Sequence, residues 1–173
     1  ATAIVNNIKK VCLKAKVEDS TTKVTNKDVV ATLTGLDKDV VITNNGGKNS
    51  YTFTKNGTFT FEFKDKAGNV GSLVAIVENI DKVAPTATIS YTPTISTTGS
   101  VVARLEKLSE EVTLLNNNGE YSYIFTKNGT FTFEFVDKAG NKGTAVAKVN
   151  WIKDTIIQNP ERPNGTEKPT TPS

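Results

Sequence analysis

The sequence predicts an all-β chain built as two tandem β-sandwiches of about seven short strands each, with essentially no helix. Three observations carry this expectation. Phenylalanines at 59, 61 and 63 alternate with Thr58, Thr60 and Glu62, a period of two that sets three rings on one face of a strand. Thr54 to Phe63 recurs letter for letter as Thr126 to Phe135, an offset of 72, and Ala15 to Lys82 matches Ala87 to Asp154 without a gap at 35 of 68 positions. No segment sustains the 3.6-residue apolar period of a helix. The repeat divides a chain of 173 residues, a length that by itself suits one domain, into two units.

Ala3 to Val11 shares seven of nine residues with Ala75 to Val83, so residues 1–9 read as the last strand of an upstream repeat plus a linker. The absence of methionine suits an excised or processed piece of a longer protein. The first repeat takes 10–81 and the second 82–154. First strands are expected near Lys14 to Glu18 and Thr86 to Tyr91, followed by the β-branched runs Val29 to Leu33 and Val101 to Leu105. Val40 to Thr43 and Val112 to Leu115 run into Asn/Gly clusters. Tyr51 to Thr54 alternates again, and Asn56-Gly57 follows it. That pair accepts the positive φ angles of a tight primed turn, which predicts a β-hairpin over Tyr51 to Phe63 and its twin around Asn128-Gly129. Asp65 to Asn69 and Asp137 to Asn141 are expected turns, with closing strands from Gly71 and Gly143. A unit of this size buries only about 60% of its unfolded surface, so its phenylalanines belong to the core. Residues 155–173 hold four of the six prolines and read as a Pro/Thr-rich linker.

Composition removes whole classes of function. With no histidine there is no Ser-His-Asp or Cys-His nucleophile and no imidazole base or ligand, and the lone Cys12 allows no intrachain disulfide; the chain is not expected to be an enzyme. Cys12, among small residues at a repeat boundary, is expected to be a partly buried, inert thiol. Glu62 and Glu134 lie on solvent faces a domain length apart, too far for a glycosidase pair at about 5 to 10 Å. The charge of +3 is thinly spread, and Lys9, Lys10, Lys14 and Lys16 lack interleaved aromatics, so no nucleic-acid partner is expected. No apolar run approaches the roughly 18 residues of a membrane span, and the chain is expected to be a monomer.

Ala84-Pro85-Thr-Ala-Thr-Ile89, the Phe-Thr-Lys-Asn-Gly-Thr-Phe-Thr-Phe-Glu-Phe run and Asp-Lys-Ala-Gly-Asn together resemble the tandem immunoglobulin-like repeats of secreted and cell-surface proteins of Gram-positive, clostridial-type bacteria. The resemblance spans residues 10 to 154. It implies immunoglobulin-like sandwiches in an extracellular, cell-wall-associated or secreted protein, as a spacer holding a distal domain away from the wall. The alternative it implies is an adhesion or carbohydrate-binding module that grips host glycan or matrix protein through loops at one sandwich end. The expected partners are in either case the neighbouring domains of the same polypeptide.

Two sets of candidate residues follow. The resemblance implies, since some related adhesin repeats are stiffened by calcium at this junction, a cation held by Asp65, Asn69 and Asp81, with Asp137, Asn141 and Asp154 as a weaker echo; the competing reading is a turn in which the Asp bonds its own backbone and Gly68 takes a positive φ. Tyr121, Tyr123 and Trp151 are the candidate binding aromatics. Trp151 is otherwise expected to pack at the domain end.

Overall fold

The structure, a computed structural model, describes residues 12–155. The expected remnant strand at 1–9 and nearly all of the linker at 155–173 lie outside them. The described chain is all-β. The first repeat contributes β1 (Lys16–Asp19), β2 (Val29–Thr34), β3 (Val41–Ile42), β4 (Ser50–Phe53), β5 (Gly57–Lys64) and β6 (Val70–Val77). The second contributes β7 (Thr88–Thr92), β8 (Val101–Glu106), β9 (Val112–Leu114), β10 (Ser122–Phe125), β11 (Gly129–Asp137) and β12 (Lys142–Val149). Among the described residues each repeat therefore has six strands where about seven were expected, and the only helical turns are the short 3₁₀ pieces Asn45–Gly47 and Asn117–Gly119.

Every repeat is made of two three-stranded antiparallel sheets, β1-β2-β4 and β3-β5-β6 in the first and their counterparts β7-β8-β10 and β9-β11-β12 in the second. The inward residues of both sheets meet in one core per repeat. Val29, Ala31 and Leu33 of β2 and Phe53 of β4 face Phe61 and Phe63 of β5 and Ala75 and Val77 of β6. The second core repeats this with Val101, Ala103, Leu105, Phe125, Phe133, Phe135, Ala147 and Val149. Phe61, Phe133 and Phe135 are wholly buried. Burying such a ring is worth about 1.5 to 3 kcal/mol, which is why the period-two phenylalanine pattern dictates the strand faces.

The expected hairpin at Asn56-Gly57 is corrected. β4 pairs with β2 (Val29↔Phe53), β5 pairs with β6 and β3, and neither Asn56 nor Gly57 has a positive φ. Three residues, Thr54 to Asn56, carry the chain from one sheet to the other, and at about 3.3 Å each they span the roughly 10 Å between packed sheets. Tyr51 and Phe59 stack across this gap with ring centroids 4.0 Å apart, as Tyr123 and Phe131 do at 3.9 Å. The Asn56 side chain, freed from any turn, clamps the strand end: its Nδ2 donates to the Ile80 carbonyl and its Oδ1 accepts from the Ile80 N–H. Asn128 holds Ile152 in the same two-way grip.

While β1–β2 and β7–β8 are consecutive antiparallel pairs with longer connections, the tight hairpins are β5–β6 and β11–β12. Their turns form as expected: Asp65 Oδ1 and Oδ2 accept from the Asn69 N–H and Nδ2, and Gly68 sits at φ 86°. This places the Asp65 turn at one end of the first repeat. At the other end Gly57 pairs with Val77, and the chain leaves through Ile80 and Asp81. A repeat is thus entered and left at opposite ends.

Candidate functional site at the inter-repeat junction

The chain leaving the first repeat is tied down before it reaches the second. Thr25 N–H donates to the Asn79 carbonyl at 2.9 Å, Asp81 N–H donates to the Thr25 carbonyl at 2.8 Å, and the Asn79 amide donates to the Thr21 and Lys23 carbonyls. Lys82 pairs with Asp28 at 2.6 Å. The second repeat then presents its Asp137–Asn141 turn to this end. Asn26 N–H donates to the Ala139 carbonyl at 3.0 Å, and Asn141 Nδ2 donates to the Asp81 carbonyl at 3.0 Å. Gly143, at the start of β12, lies so close beneath the Pro85 carbonyl that a Cβ there would sit 2.3 Å from it. Asp81 is therefore bonded to both repeats through its own backbone.

Asp137 is the buried polar centre of the joint, 7% exposed. Its Oδ1 accepts from the Gly140 and Asn141 N–H groups and its Oδ2 from Asn141 Nδ2. Burial alone pushes its pKa up, and the donors of Asn141, Gly140 and Ala139 outweigh that, so the carboxyl is held below its ordinary value. Asp65, in the matching turn, is lowered as well, first by the Asn69 side chain. Carboxylate oxygens of Asp81, Glu110 and Asp137 come within 4.8 Å of one another. Loss of hydration and then the charges of Asp137 and Asp81 push Glu110 up.

This grouping corrects the expected one. Asp65 and Asn69 bond each other at the far end of the first repeat, separated from Asp81 by the length of β5 and β6, roughly 25 Å at about 3.3 Å per residue; no ion bridges that span. Asp154 is likewise exposed at the end of the second repeat opposite Asp137. What comes together is Asp81 with Asp137 and Asn141, joined by Glu110, which the sequence reading missed. A signal existed at the 72-residue offset: Lys9 and Lys38 become Asp81 and Glu110, two reversals of charge at one junction, while Asp65 and Asp137 stay the same. The trio suits a hard cation such as calcium, which takes six to eight oxygens at about 2.3 to 2.6 Å, with water completing the shell.

The aromatic candidates do not form one surface. Tyr123 is stacked on Phe131 against the core, Trp151 meets Tyr91 edge-on and donates Nε1–H to the Pro93 carbonyl at 3.0 Å, and the Tyr121 hydroxyl donates to the Val112 carbonyl. Cys12 is exposed, against the expectation of partial burial. Neither a protein-family model nor a curated protein sequence matches the chain.

The junction carries a linked prediction. Asp137, with its lowered pKa, contributes stability above the ordinary carboxylate range that is lost as pH falls through its folded pKa. Glu110, with its raised pKa, imposes a cost that is relieved as pH falls through its own folded value. In chelator near neutral pH, Glu110→Gln is expected to melt above the wild type and to lack the gain on mild acidification. Differential scanning calorimetry across pH checks this, and a lower melting temperature for the variant would contradict it.

Proposed function

We propose that this chain is a non-catalytic spacer from a large secreted or cell-surface bacterial protein, in which serial immunoglobulin-like units hold a distal domain away from the wall. The observation that carries the reading is the joint itself. Backbone and side-chain hydrogen bonds from both repeats converge on Asp81, and Pro85, with its fixed φ, is wedged against Gly143. A linker meant to swivel needs none of these contacts.

Opposite placement of entry and exit adds to it, because each unit then extends the array by its own length. Of the aromatic side chains that an adhesive module would offer to a sugar, Tyr123 and Trp151 are engaged in internal packing and Tyr121 alone is exposed, which favours the spacer over that alternative. Calcium held by Asp81, Glu110 and Asp137 would neutralise their mutual repulsion and further stiffen the joint.

Small-angle scattering of dilute protein tests the proposal. The expected particle is elongated, with a maximum dimension near that of two units end to end. A compact particle with the repeats folded side by side would refute it.

A further inference from the structure

We propose that β6 is a self-association edge, on which a second copy of this chain pairs antiparallel, strand to strand, about a two-fold axis. β6 is the outer strand of the β3-β5-β6 sheet and, among the described residues, has a ladder partner on one side only. Its outward side chains are Val70, Ser72, Val74 and Ile76, with Val70 81% and Ile76 59% exposed and no charge among them. An uncharged, β-branched, eight-residue edge is a template for another strand.

The second repeat is the internal control. At the same positions β12 carries Lys142, Thr144, Val146 and Lys148. One lysine has in effect changed strands: the cross-strand pair Lys64↔Val70 of the first repeat is Val136↔Lys142 in the second. Lysine thus guards the edge of one repeat and stands on the inner strand of the other. The unguarded edge is also the more open one. Gly71 and Leu73 are half-buried where Gly143 and Ala145 are buried, and the Pro85 carbonyl lies over Gly143 while the atoms nearest a Cβ on Gly71 are those of the Phe63 ring.

Register selects the occupant. An antiparallel pairing of two β6 strands centred on Leu73 sets Val70 opposite Ile76 of the second copy and Ser72 opposite Val74, so apolar residues meet and no like charges face each other. The same pairing of two β12 strands would set Lys142 opposite Lys148 and repel. One edge strand buries less than the ~800 Å² per partner of a standard interface, so the association is weak and the expected monomer holds at dilution.

Sedimentation velocity from about 5 µM to 1 mM tests the proposal on the wild type, on Val70→Lys/Ile76→Lys, and on the chain lacking residues 1–8. The wild type and the shortened chain are expected to dimerise with rising concentration, while the double variant stays monomeric with its melting temperature retained. Hydrogen exchange supplies a second readout that needs no variant: β6 amides gain protection with concentration and β12 amides do not. A wild type monomeric throughout, a dimer that survives the double substitution, or a dimer lost with residues 1–8 would overturn it. The scattering experiment on dilute protein succeeds or fails independently of this one.

Discussion

Phe61→Ala is expected to melt the first repeat tens of degrees below the second. The ring is wholly buried between the two sheets, and its removal costs about 3 to 5 kcal/mol as lost transfer energy plus cavity. In a unit of about 72 residues each kcal/mol shifts the midpoint by roughly 4 to 8 °C, so the loss approaches the whole stability of the repeat. The chain supplies its own reporter, since Trp151, its single tryptophan, packs against the core of the second repeat. Circular dichroism should therefore show an early transition that tryptophan fluorescence does not follow. Phe133→Ala should reverse the pattern, with fluorescence leading. A single coincident transition in both variants would show that the repeats fold as one unit.

Gly143→Ala is expected to damage the joint more than Gly71→Ala damages its own strand, although the two glycines occupy equivalent positions. At Gly71 the atoms nearest the new methyl would be those of the Phe63 ring, whose edge lies 2.4 Å from the Cβ position, a clash that Phe135 repeats at Gly143. At Gly143 it would meet the Phe135 ring at 2.4 Å and also the Pro85 carbonyl at 2.3 Å, and that carbonyl turns only together with the Thr86 N–H of the same peptide plane, which donates to Ser109 Oγ. Overpacking of this kind costs about 1 to 3 kcal/mol, and Gly143→Ala belongs at the upper end. Because the relief lies in moving the linker, amide chemical shifts at Asn26 and Asp81, on the other side of the joint, should change in Gly143→Ala and stay fixed in Gly71→Ala. Equal losses in the two variants would mean that Pro85 does not bear on Gly143.

The strand positions were legible because a period of two admits few other structures. Phe59, Phe61 and Phe63 define an inner face from the sequence alone, and the Asp65 and Asp137 turns follow from residues that satisfy each other within five positions. Sheet membership was not legible in the same way. Asn56-Gly57 suits a tight turn locally, but the chain uses it to change sheets, because Phe53 and Phe61 must enter the core from opposite sides. Local letters cannot report that requirement.

The junction was half legible for a related reason. Asp81, Asp137 and Asn141 stood out as residue types, but their grouping depends on which end of a repeat each one occupies, and that follows from the β5–β6 and β11–β12 registers. Once the registers are known, Asp65 and Asp81 are a strand length apart and Asp81 faces the next repeat's turn. Glu110 lies in a loop with no motif of its own. Only its contrast with Lys38 one repeat earlier marks it.

Rigidity of the joint at Asp81 is what the proposed spacer function requires. Its most direct test is a distance measured across the joint by pulsed electron spin resonance, with spin labels on Glu62→Cys and Glu134→Cys in a Cys12→Ser background, both sites lying on outward strand faces. Kept dilute, so that only intramolecular distances contribute, the protein is expected to give one narrow distribution that broadens when Asn141→Ala removes the bond to the Asp81 carbonyl. A broad distribution in the chain with Asn141 intact would contradict that rigidity, since it would mean that the repeats swivel in spite of the contacts between them.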